Sequence, residues 1–156
     1  MSDTDLFLRP LTPADAAIAA GLLADQPADY LKYFHPFGAD EMTIAETLGA
    51  RDRDVYSGLF LGGALICIFM LRGWDAGFTI PSFGLVVAAN RRGREVLTVA
   101  LEAAKLTARL AGAERIMCKV HPENLAGTRG ALRLGFVPAS QEPDTGNVVY
   151  YLDLQA

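Results

Sequence analysis

The sequence predicts a single α/β domain built on a mixed sheet of six or seven strands, with about four helices on its faces. Three observations predict it. A strand-length apolar run at 82–88 (SFGLVVA) enters a turn carrying three arginines, and that turn opens a helical pattern over 95–111. A second strand-like run, RIMCKV at 115–120, follows the helix, which is the order of a parallel crossover. Upstream, two apolar runs at 56–61 and 64–71 meet at Gly62-Gly63, the signal of a tight antiparallel hairpin. Parallel and antiparallel pairing in one chain means a mixed sheet.

Length and composition bound the rest. The 156 residues suffice for one domain with its own core, and at 51% hydrophobic and 21% charged the chain should fold unaided. We expect one domain over 1–156, with no linker or repeat dividing it. The formal net charge of −4 is the wrong sign for nonspecific nucleic-acid binding. The acidic start, MSDTDLFLRP, lacks a basic segment followed by an apolar block, so no secretory signal is expected there. The nearly uncharged run at 55–71 is interrupted by Gly58 and Gly62-Gly63 and is too short to span a bilayer. A cytoplasmic protein is the expectation. Cys67 and Cys118 both lie in apolar strand-like runs and read as buried reduced thiols rather than a disulfide.

Taken in order, residues 6–11 alternate around Arg9 as a first strand. Thr12-Pro13 supplies an N-cap and a first-turn proline for a helix running to about residue 24, where Gln26-Pro27 stops it. Residues 29–37 are dense in aromatics: Tyr30, Tyr33, Phe34 and Phe37 surround His35. His35 reads either as a base or substrate contact, or as a histidine wedged among rings. Residues 43–48 form a short helix closed by Gly49. The loop at 72–81 holds Trp74 beside Asp75 between glycines. It reads equally as the wall of a pocket and as a structural loop with Trp74 covering the sheet edge.

The helix after the basic turn places Glu95, Thr98, Glu102, Lys105 and Arg109 on one stripe and Leu97, Ala100, Leu101, Ala104 and Ala108 on the other, as expected for a helix lying on a sheet. Gly112 ends it. A strand feeding a helix through such a turn leaves backbone N–H groups at a positively polarised helix end, which suits an anion. Asn124 precedes another short helix that stops at Leu134-Gly135-Phe136. A loop at 140–147 leads to the final strand at 148–154.

The first strand and helix (LRPLTPADA), the Arg-rich turn opening the long helix, and Asn124 followed by Leu134-Gly135-Phe136 together resemble the GNAT superfamily of acetyl-CoA-dependent N-acetyltransferases. The resemblance covers nearly the whole chain. It implies acetyl-CoA as cosubstrate and the primary amine of a small molecule, such as an amino sugar or amino-acid derivative, as acceptor. It implies that backbone groups of Val86, Val87 and Ala88 bind the pantetheine arm and that the turn Arg91, Arg92, Gly93, Arg94, Glu95 and Val96 surrounds the pyrophosphate. Asn124 would lie beside the arm. Asp75 and His121 are the candidate proton acceptors. Phe34, His35, Trp74 and Asp75 would form the acceptor pocket, with Asp75 attracting the ammonium. Family analogy and a mean hydropathy of +0.23 point to a homodimer.

The chain departs from the family pattern in three places. The turn holds one glycine, so Val96 or Glu95, depending on register, occupies a position where phosphate must approach the backbone. The three arginines at 91, 92 and 94 would compensate by charge. Seven residues after Asn124, where many members carry a tyrosine that protonates the departing thiolate, stands Ala131. The strand at 82–88 has no glutamate to serve as base. A second reading therefore stands beside the enzyme: a GNAT-like domain that has lost catalysis and acts as a ligand-binding or regulatory module.

Overall fold

The computed structural model describes residues 3–34 and 36–154. Among these residues seven strands form one sheet in the order β1-β2-β3-β4-β5-β7-β6. The strands are β1 (Leu6–Pro10), β2 (Val55–Leu61), β3 (Ala64–Arg72), β4 (Ser82–Val87), β5 (Arg115–Val120), β6 (Val137–Gln141) and β7 (Val148–Asp153). Five α-helices accompany them among the described residues: α1 (Ala16–Ala24), α2 (Ala28–Leu31), α3 (Glu41–Ala50), α4 (Arg94–Leu110) and α5 (Leu125–Arg133). The mixed sheet expected from the sequence is present. Among the described residues its one parallel neighbour pair is β4–β5.

The sheet separates two cores. On one face, Leu59, Cys67, Phe69 and Leu71 pack with Ala100, Leu101, Ala104 and Ala108 of α4 and with Ala131 of α5. On the other, Tyr56, Phe60, Ile68, Met70 and Val86 pack with Leu22 and Leu23 of α1 and with Ile44 and Leu48 of α3. This explains why β3 reads as a continuous apolar run: both of its faces are covered. Ala100, Ala104 and Ala108 are each essentially unexposed and let the helix lie close on the sheet. The β2–β3 hairpin turns at Gly62, whose φ of +60° is the left-handed conformation a side chain resists.

α2 escapes the sequence reading because four residues cannot display a helical period. Cys67 and Cys118 are both buried free thiols, and burial pushes each up to about 12. Cys118 faces the core shared with α4.

One ion pair joins β1 to the start of the helical layer. Arg9 forks onto Asp15, with both N–H···O contacts at 2.8 Å, and Asp15 also accepts the Thr12 N–H. The Arg9 bond holds the Asp15 carboxyl down at about 2, against an ordinary value of 3.8. A depressed carboxyl stabilises the fold above its unfolded pKa and loses that contribution as the pH falls through the folded one. Asp15→Asn should therefore cost about 1–2 kcal/mol at pH 7, a figure discounted for the half-exposed Arg9. The deficit relative to the parent should shrink as the pH falls from 4 toward 2, as read by denaturant melts across that range.

Candidate functional site at the split between strands 4 and 5

β4 and β5 are paired at only one register position, Ser82 with Met117, where the Met117 N–H donates to Pro81 O at 3.0 Å. Past that point the two parallel strands diverge, and a cleft opens toward their C-terminal ends. On its other side β4 is fully paired with β3, from Arg72↔Ser82 to Cys67↔Val87.

An antiparallel ladder sends alternate residues' N–H and C=O groups toward alternate neighbours. The Ala88 N–H donates to Ile66 O, so the even-numbered residues face β3. The odd-numbered Leu85 and Val87 then present their backbone groups to the cleft. Side chains from the opposite layer reach these same positions. The Tyr30 hydroxyl donates to Leu85 O at 3.1 Å, and Gln26 Nε2 donates to Val87 O at 3.0 Å. Of the three backbone positions expected to hold a cofactor arm, Val87 alone faces the opening. Val86 and Ala88 are turned to β3, and Leu85 takes the second place.

Beyond β4, a short 3-10 turn (Ala89–Arg91) leads to Gly93, the N-cap of α4. The N–H groups of Arg94, Glu95 and Val96 occupy the first turn, where the helix supplies no acceptors. A Cβ added at Gly93 would meet nothing within 4 Å, so the approach to this helix end is open. The Val96 side chain packs against the α4-face core, and Glu95 points to solvent. Arg91, Arg92 and Arg94 are exposed. Among the described residues none of the three pairs with a carboxylate. Arg92 is held by a neutral partner, donating from Nη2 to Gln26 Oε1 at 2.8 Å.

The β5 side is built by residues 120–127. Asn124 caps α5: its side-chain oxygen accepts the Gly127 N–H at 3.0 Å. Glycine is needed at 127, because a Cβ there would come within 2.5 Å of the Asn124 amide nitrogen. The His121 ring stacks on Tyr33, centroids 5.7 Å apart, so the segment after α2 meets the end of β5 across the cleft mouth. His121 Nδ1 accepts the Glu123 N–H at 3.2 Å. Neutral imidazole then carries its proton on Nε2. The nitrogen free to face a substrate is a donor, which disfavours His121 as the base through that atom.

Two sequence expectations are corrected here. Trp74 and Asp75 sit in the β3–β4 loop, at the end of β4 where the sheet is still closed. Trp74 is buried in the α4-face core. Asp75 accepts three backbone N–H groups, from Asp52, Arg53 and Asp54, at 2.9, 2.6 and 3.3 Å. Those bonds hold its carboxyl below the usual range. Asp54 reciprocates, accepting the Gly73 and Asp75 N–H groups. The pair clamps two loops together and leaves Asp75 neither near the cleft nor free to bind an ammonium. Asp75→Asn should lower the melting temperature while leaving the acceptor KM unchanged. A raised acceptor KM in a variant of normal stability would restore the substrate role. The cavity of about 230 Å³ at this end, lined by Arg53, Trp74, Phe78 and Gly112 among others, is likewise remote from the split.

Phe34 belongs to an aromatic chain running Tyr30, Phe34, Phe37, Tyr56 beneath the sheet, with ring centroids 5.2–6.2 Å apart. It packs on the core of that face. His35 lies outside the described residues. Ala131 is buried against the α4-face core. The residues that sequence reasoning missed are Gln26 and Tyr30. Burial pushes the Tyr30 hydroxyl up to about 12, with nearby Arg92 acting against the rise. It stays protonated at any physiological pH.

Similarity to known proteins agrees with this geometry. The family model described as acetyltransferase (GNAT) domain matches residues 5–137. No curated protein sequence matches the chain. Among solved structures, the chain is similar to the GNAT domain of S. lividans PAT, at 21% identity and a TM-score of 0.76 over 94% of this chain and 89% of that one. It is similar to PaiA N-acetyltransferase from Thermoplasma acidophilum in complex with coenzyme A, at 12% identity and TM-score 0.75 over 96% and 99%. It is also similar to yncA from Salmonella typhimurium with its cofactor acetyl-CoA, at 16% identity and TM-score 0.74 over 98% and 96%. Identities this low speak to the fold. The family match over most of the chain settles membership: this chain belongs to the GNAT acetyltransferase family.

Proposed function

We propose that the chain is an acetyl-CoA-dependent N-acetyltransferase that acetylates the primary amine of a small molecule. The observation that carries this reading is the single-pair contact of β4 with β5, which leaves the Leu85 and Val87 N–H groups without a strand partner beside an Arg-flanked helix N-terminus. Two of the solved structures similar to this chain hold coenzyme A or acetyl-CoA.

The residues present fit that cosubstrate. A chain of amides needs alternating donors and acceptors along a strand edge; the Leu85 and Val87 N–H groups supply the donors, and each carbonyl, already accepting Tyr30 or Gln26, keeps a second lone pair. A pyrophosphate needs positive charge and free N–H groups, and Arg91, Arg92, Arg94 and the first turn of α4 supply those. Acetyl-CoA supplies the activated acetyl thioester. The chain contributes binding, orientation and polarisation. The Leu85 N–H, the first cleft-facing donor past the split, polarises the thioester carbonyl. The Tyr30 hydroxyl holds the Leu85 carbonyl on the cleft edge, one peptide beyond that N–H. Tyr33 and His121 close the mouth on the acceptor side. No carboxylate stands in residues 82–88, so the acceptor ammonium loses its proton to water as it enters, and the departing thiolate takes one from water.

The module reading rests on a phosphate site crowded by Val96 or Glu95, on Ala131 in place of a tyrosine and on the lack of a carboxylate in residues 82–88. The packing of Val96 against the core and the outward course of Glu95 favour the enzyme. The test is thiol release from acetyl-CoA across a panel of amino sugars, amino acids and polyamines, with the product identified by mass. An acceptor-dependent release yielding an N-acetyl product supports the proposal. Coenzyme A binding without turnover on any amine would favour the module.

A further inference from the structure

Gln26 follows the Asp25 C-cap of α1 and is 7% exposed. Its amide nitrogen is fixed by two carbonyls from different elements, Leu22 O at 3.2 Å and Val87 O at 3.0 Å. With both donors turned inward, the amide oxygen can only face outward. There it accepts Arg92 Nη2 at 2.8 Å. One buried side chain thus ties the C-terminal end of α1, the cleft edge of β4 and the turn before α4.

We propose that Gln26 is a positioning residue that aims the Arg92 guanidinium at a phosphate-bearing arm lying over the N-terminus of α4. This rests on the acetyl-CoA reading above and adds to it a part played by the opposite helical layer. Three features support it. Guanidinium carries five N–H donors, of which Gln26 takes one, so the remaining fork stays available for bidentate anion contact. The partner is neutral. A carboxylate at the same place would hold Arg92 equally well and cancel the charge that an anion needs. Arg92 directly precedes the Gly93 N-cap, so the backbone sets it next to the first-turn N–H groups of α4. Where the family turn uses glycines to bring backbone to phosphate, this turn has one glycine and a pre-aimed arginine, and pre-aiming spares the entropy of ordering a long side chain on binding.

The test is a double-mutant cycle on coenzyme A affinity, using calorimetry on the full chain with the parent, Gln26→Met, Arg92→Met and the double variant. Each single variant should weaken coenzyme A by about tenfold. The double variant should be no weaker than Arg92→Met alone. In turnover, the KM for acetyl-CoA should rise with kcat little changed, a split that general loosening of the fold would not give. Additive losses in the cycle would overturn the proposal, because Gln26 would then act without Arg92. Should Gln26→Met fail to fold, Arg92→Lys at the exposed end carries the test: it keeps the charge and loses the fork. Affinity equal to that of the parent would overturn the proposal, and a loss of about tenfold would support it. If the parent itself binds no coenzyme A, this inference falls together with the acetyl-CoA reading. If the parent binds and the cycle is additive, only this inference falls.

Discussion

Leu85→Pro should lower the turnover number with acetyl-CoA by about two orders of magnitude, the loss typical of removing one preorganised donor. Proline deletes one N–H and fixes φ at about −65°, at the edge of the broad β region. At position 85 the deleted donor faces the cleft, because the β3 ladder uses the even-numbered residues. The residue before it is Gly84, which tolerates the restriction that a following proline imposes. The ladder should therefore survive, with a modest fall in melting temperature from lost packing of the Leu85 side chain. Val86→Pro is the control. Position 86 lies opposite Ile68 and bonds across to it, so proline there removes a ladder hydrogen bond and should unfold much of the protein. If Leu85→Pro turned over at the parental rate, polarisation by that N–H would be wrong. Val87→Pro would then be the next variant to measure.

The second large effect is on stability. Trp74→Ala should cost about 3–5 kcal/mol, the range for emptying a buried aromatic site. Trp74 is 6% exposed and packs in the core shared by β3, α4 and β5. Its indole is the largest side chain at the closed end of the sheet, so the neighbouring alanines of α4 cannot refill its volume. Denaturant melts measure the loss. For the fraction that remains folded, KM values for both substrates should match the parent. A variant of parental stability with a raised acceptor KM would instead place Trp74 in the acceptor pocket.

That contrast shows what the sequence could and could not tell. The strand–turn–helix–strand frame from β4 to β5 was legible because period and length distinguish its parts: RIMCKV coincides with β5, and the α4 pattern with its alanine face is within a residue of the observed helix. The short helix between Asn124 and Leu134-Gly135-Phe136 was legible as α5, while the capping role of Asn124 emerged only from the structure. Glycines around Trp74-Asp75 marked a loop correctly, but nothing local says at which end of the sheet a loop lies. That depends on where the parallel pair comes apart. The parity of β4, which decides that Leu85 and Val87 rather than Val86 and Ala88 face the cleft, is set by register with β3, and a uniformly apolar strand gives no alternation from which to read it.

Gln26 and Tyr30 were hidden for a further reason. Their contacts reach 55 to 66 residues along the chain, to Leu85, Val87 and Arg92. Before folding, Gln26 has the pattern of a helix stop and Tyr30 that of one ring among four. Only the stacking of the α1–α2 layer over the split turns them into parts of the cleft wall.

The central claim is that the split between β4 and β5 is a coenzyme A site whose phosphate end lies at the N-terminus of α4. Calorimetric titration of the purified chain with acetyl-CoA tests it most directly, with coenzyme A and pantetheine as second and third ligands. The account predicts micromolar binding of acetyl-CoA and coenzyme A that weakens with added salt, and much weaker binding of pantetheine, which lacks the phosphates. Absence of acetyl-CoA binding at millimolar ligand, or equal affinity for coenzyme A and pantetheine, would contradict it.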